Sequence, residues 1–207
     1  MLEKINSNNM ISTNDKVIRA ALRNILDKEL GNYQKNGHNG GIFEEFGVCH
    51  GTARIDIAVI NGVMQGYEIK SDRDTLERLP EQMIEFNAVF DNLTLVVGKR
   101  HLYKAIHIVP DWWGIILAKI DTNSRIIFHT IREATNNTEQ VRISIARLLW
   151  REEALQILEE RNKAKGIRSK TREFIYERLA NALEVNELKK VVNDLLTSRK
   201  FGNLIYH

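Results

Sequence analysis

Asp56, Glu68 and Lys70 are three charges set in otherwise apolar stretches, ARIDIAVI and MQGYEIK, on either side of Asn61-Gly62. Asn-Gly between two such runs is a strong hairpin signal, so the charges fall on neighbouring strands. Glu68 and Lys70, at i and i+2, share one face of their strand. That places a carboxylate oxygen beside an ammonium able to hold an attacking water. Water attacks a phosphodiester only when the phosphate charge is masked and the nucleophile activated, and divalent ions do both. Mg²⁺ keeps most of its waters, so one or two carboxylates suffice. Asp56 is the candidate second carboxylate.

Strand parity tests this pairing. A plain two-residue turn pairs residue i with 123 − i, which sets Asp56 opposite Tyr67 and turns it away from Glu68. A three-residue loop with Gly62 left-handed, or an extra residue at Gly66, makes the sum even, 122 or 124. Either puts both acids on the face of Lys70. This register is expected, with Ile55, Ile57, Val59, Tyr67 and Ile69 on a core-packed face.

Asp56, then Glu68-Ile69-Lys70, then a helix carrying Gln82 resembles the PD-(D/E)XK, or restriction-endonuclease-like, nuclease superfamily. The wider stretch from EEFGVCHGTARIDIAVING to VPDWWGI is similar to a bacterial family of nuclease-like proteins within it. The resemblance implies a Mg²⁺- or Mn²⁺-dependent deoxyribonuclease. Asp56, Glu68 and the backbone carbonyl of Ile69 would hold the metal, Lys70 would activate water, and Gln82 would support it. Glu45 matches an acidic residue that some members use as an extra ligand. Phe86 stands where Tyr is usual, so any hydroxyl role there is missing. The alternative is a catalytically inactive module of the same fold that binds DNA or a partner. A homodimer or partner subunit fits the compact size.

The elements that must position these residues follow from periodicity. Val17, Ile18, Ala21, Leu22, Ile25 and Leu26 form a helical stripe over Asn14–Leu30, closed by Gly31. A helix over about 75–90, with Asp72 or Asp74 as cap, follows the hairpin. Strands are expected near 93–97, 114–120 and 126–131, with a helical stretch over 99–108. Helices near 140–161, 170–183 and 185–198 follow. The expected fold is α/β, a mixed central sheet flanked by helices, with a nuclease-like core over 1–135 and a helical region over 136–207 packed on it.

The composition, 43% hydrophobic and 28% charged over 207 residues, is that of one good-sized globular domain with or without a small appendage. Cys49 is the single cysteine, which excludes an intrachain disulfide. MLEKINSNNM has no apolar leader core, and no run approaches the roughly 18 apolar residues of a membrane span, so a cytoplasmic location is expected. Net charge is only +3, but residues 161–172 carry six basic side chains and no acidic one. Such a stripe suits phosphate contact. Arg168, Lys170 and Arg172 there, with Arg73, Lys99 and Arg100 near the strand ends, are the candidate DNA contacts. Trp112 and Trp113 read as packing rather than base stacking.

Overall fold

The computed structural model describes residues 12–202, with side chains through Arg199. The N-terminal segment read for a leader lies outside the described residues. Strands β1 (Gly41–Val48), β2 (Ala53–Ile60), β3 (Met64–Lys70), β4 (Asn92–Gly98), β5 (Gly114–Ile120) and β6 (Ile126–Arg132) form one sheet in that spatial order. The first three are antiparallel neighbours, β3, β4 and β5 run parallel, and β6 returns antiparallel to β5. The parallel links require crossovers, supplied by α2 (Leu79–Asn87) and α3 (Leu102–Ile108). The chain is therefore a mixed sheet flanked by helices, followed by α4 (Arg142–Ala146), α5 (Arg151–Glu160), α6 (Arg172–Ala182) and α7 (Val185–Gly202).

Helix α1 (Asp15–Lys35) covers one face. Ile18, Leu22, Leu26 and Leu30, spaced by four, are buried against Ile42, Ile57, Val59, Ile69 and Val96. Each such side chain contributes about 1.5–3 kcal/mol of burial. Val17 and Ile25 instead stay exposed, so the buried stripe is narrower than the apolar one. Asn14 caps the helix by accepting the Val17 N–H at 3.1 Å. Gly31 does not stop it. The helix continues to Lys35, and the turn comes at Asn36 and Gly37, whose φ is +84°. A mid-helix glycine costs only about 1 kcal/mol.

The opposite face packs on α2, α3 and the C-terminal helices in one hydrophobic cluster that includes Ile55, Phe86, Phe90, Trp113, Leu158, Leu179 and Val192. Trp113 is fully buried, its Nε1 donating to Asn87 Oδ1 at 2.9 Å. Ile55 belongs here, not with Ile57 and Val59, because β2 turns over at Asp56. The expected helix at 140–161 is broken. Trp150 is extended and its N–H goes to the Glu153 carboxylate at 2.7 Å, starting α5 afresh. No described helix is long and apolar enough to cross a membrane.

Candidate functional site

β2 and β3 pair as Ile57–Tyr67, Ala58–Gly66, Val59–Gln65 and Ile60–Met64. The sum is 124, even, reached through a three-residue loop with Gly62 at φ +94° and unbroken pairing at Gly66. One step further the ladder gives way to a side chain. Asp56 Oδ2 accepts the Ile69 N–H at 2.6 Å, taking the place of a strand carbonyl.

Glu68, Lys70 and Gln82 meet beside it. Lys70 Nζ donates to Glu68 Oε1 at 2.7 Å and to Gln82 Oε1 at 3.2 Å. Pro80 in the first turn starts α2 and brings Gln82 over the end of β3. Phe86, one turn on, is core packing against Phe90. Glu68 is 2% exposed, and its Oε2 has no hydrogen-bond partner. Burial, reinforced by Asp56, pushes the Glu68 carboxyl up to about 7 against the pull of Lys70. Burial likewise raises Asp56, although the Ile69 N–H and Arg19 oppose it.

Sequence reasoning missed Arg19. Its guanidinium donates to Asp56 Oδ1 at 2.5 Å, pairs with Glu45 at 2.7 Å, and reaches Asp15 at 3.3 Å. Only the Asp15 contact, at i and i+4 on α1, is legible locally. Glu45 is thus brought to the site through Arg19, from a backbone position with φ +50°. These groups line an open pocket of about 710 Å³. Its acids are engaged: Asp56 by Arg19 and Ile69, and Glu68 by Lys70 on one oxygen. Among the described residues, no group of three or more His, Cys, Asp or Glu side chains is arranged to hold a metal ion.

Asp72 and Asp74 do not cap α2. Asp74 accepts the Ser71 N–H and hydroxyl at 2.7 and 2.6 Å. Asp72 accepts from the Thr13 N–H and hydroxyl and from the Arg100 N–H, tying the start of α1 to the end of β4. Burial opposes ionisation of Asp72, but those donors hold its carboxyl below the usual range. Arg73, Lys99 and Arg100 converge on a second cleft of about 820 Å³, joined by Lys119, which the sequence reading did not single out. Of the C-terminal cations, Arg168 pairs with Glu159 at 2.8 Å, whereas Lys170 lies over the Phe174 ring and Arg172 is exposed. Arg161 pairs with Glu187, and Lys163 donates to the Ala182 carbonyl.

A family model described as Bacteriophage P4 protein cII matches residues 11–204. Protein cII of Enterobacteria phage P4 is 32% identical over 92 residues, which is 44% of this chain and 34% of that protein. The chain thus spans about a third of the length of the curated relative it matches. No solved structure matches it. These matches overturn the assignment to the PD-(D/E)XK superfamily, and with it the metal-dependent deoxyribonuclease. The enzyme reading is overturned on the same ground. The acids that suggested a hydrolase are bound to Arg19, Lys70 and a backbone N–H instead.

Proposed function

The chain belongs to the bacteriophage P4 protein cII family, and from that premise we propose that it is a non-hydrolytic DNA-binding module. The observation that carries this reading is unspent positive charge. Arg73, Lys99, Arg100, Lys170 and Arg172 have no carboxylate partner among the described residues. A backbone phosphate that replaces a condensed counterion at such side chains binds with a salt-dependent affinity.

The converged Asp56, Glu68, Lys70 and Gln82 act in this reading as a ligand-holding pocket rather than a catalytic one. Mg²⁺ or Mn²⁺ is the proposed occupant, held by Glu68, the Ile69 carbonyl and Asp56, which would exchange its Arg19 contact for the ion. The orphaned Glu68 Oε2 supports it, as a buried carboxylate oxygen with no partner. The ion would supply positive charge to a nearby phosphate. Manganese paramagnetic resonance tests this, and an unchanged free-ion signal at millimolar protein would sink it.

DNA binding is tested by fluorescence anisotropy of a labelled duplex at several salt concentrations. Binding that weakens steeply with salt is expected, with the duplex intact afterwards. Replacing Lys170 and Arg172 by Ala should flatten the salt slope by about one to two units. An absence of binding at low salt would overturn the reading.

A further inference from the structure

We propose that the cleft lined by Arg73, Lys99, Arg100 and Lys119 is a site for a phosphomonoester or diphosphate group. This deepens the DNA-binding reading by assigning the phosphoryl end of a strand to a particular place. The sheet builds the cleft. β3, β4 and β5 are parallel, so their C-terminal ends open on one edge, where ligands of open α/β sheets commonly sit. Gly98 pairs with Ala118 at the last rung between β4 and β5, so Lys99, just past the end of β4, lies beside Lys119 in β5. Arg73 arrives from the segment after β3, and Arg100 is held by its N–H and guanidinium against Asp72.

Charge decides the ligand class. Four cations face one carboxylate, leaving a net charge of three. That carboxylate, Asp72, is already satisfied by backbone and hydroxyl donors rather than by the cations' side chains. None of the four cations has an ion-pair partner among the described residues. A backbone phosphodiester offers one negative charge, whereas a monoester carries about −1.5 to −2 and a diphosphate more. The cleft is matched to the more highly charged group. It is also roomy enough, at about 820 Å³, for the attached nucleoside.

The test uses the full chain. Calorimetric titration with inorganic phosphate and pyrophosphate should show binding, pyrophosphate the tighter. Lys99→Ala combined with Lys119→Ala should weaken it about tenfold or more, since charge-assisted hydrogen bonds are lost. Lys119→Arg in the same assay should retain it, which separates charge from folding. Two duplexes of one sequence, with and without a terminal phosphate, then distinguish a strand end from a free phosphate. Preference for the phosphorylated duplex, lost in the double variant, supports the strand end. Pyrophosphate binding without that preference supports a free phosphorylated ligand at the same site. If neither pyrophosphate nor the terminal phosphate binds in a Lys99- and Lys119-dependent way, the inference falls, while duplex binding through other residues would leave the DNA-binding reading intact.

Discussion

Arg19 and Asp56 form an ion pair 2.5 Å long that joins α1 to β2 across 37 residues of chain. Both side chains are 17% exposed, so neither is freely solvated. Removing one member of a largely buried pair leaves the other charged and uncompensated. Arg19→Ala is expected to lower stability by about 2–3 kcal/mol in urea denaturation. Arg23→Ala, which loses only half-exposed pairs to Asp27 and Glu44, should cost about 0–1 kcal/mol. Equal losses for the two variants would show that Arg19 is not the keystone of the pocket.

Glu68 gives a pH signature with a definite sign. Its carboxyl is raised from 4.5 to about 7 in the folded chain. Between those values the native state holds a proton that the unfolded chain has released. Stability from this group therefore falls as pH rises through that window and levels off above it. Asp56 is shifted in the same direction and adds to the fall. Melting temperatures from pH 4 to 8 should show less of this decline in Glu68→Gln than in the parent chain. A parallel curve for the variant would place the titration elsewhere.

Gly98 lets two segments touch. A Cβ there would lie 2.4 Å from Asp72 Oδ1 and 2.7 Å from the Asp72 backbone nitrogen, which has no flexible end to move aside. Gly98→Ala should cost about 1–3 kcal/mol as an overpacked site. Because Asp72 links Thr13 to Arg100, the same variant should weaken pyrophosphate binding. Wild-type stability and binding together would refute the packing argument.

The sequence carries these elements unequally. The α1 stripe and the parity of the hairpin are local or near-local patterns, and Asp56, Glu68, Lys70 and Gln82 line one pocket. Arg19 is invisible at that level, since its partner Asp56 is set by how α1 lies across the sheet. Asp72 and Asp74 look like helix caps because caps are the commonest local use of such residues, yet Thr13 and Arg100 claim Asp72 and the adjoining Ser71 claims Asp74. The break at Trp150 depends on one carboxylate catching one N–H, which periodicity does not register. Chemistry was the least legible. Two acids, an amine and an amide can converge for hydrolysis or be neutralised by their neighbours, and residue spacing is the same in both cases.

Asp91 and Lys189 test how the C-terminal helices are joined to the sheet. Asp91 is 1% exposed, accepts the Met64 N–H at 2.7 Å, and pairs with Lys189 on α7. Gln140 Nε2 adds a contact at 3.3 Å, and Lys189 also donates to Gln140 Oε1 at 3.0 Å. Core and helices also share one continuous hydrophobic cluster. Lys189→Met keeps the aliphatic stem but leaves the Asp91 charge without its cation. The expected loss is about 3 kcal/mol, felt in a single unfolding transition because the helices have no separate core to unfold from. Near- and far-ultraviolet dichroism followed through the same denaturation should coincide. An early helical transition appearing only in Lys189→Met would mean that the C-terminal helices are a separate cooperative unit docked on the sheet.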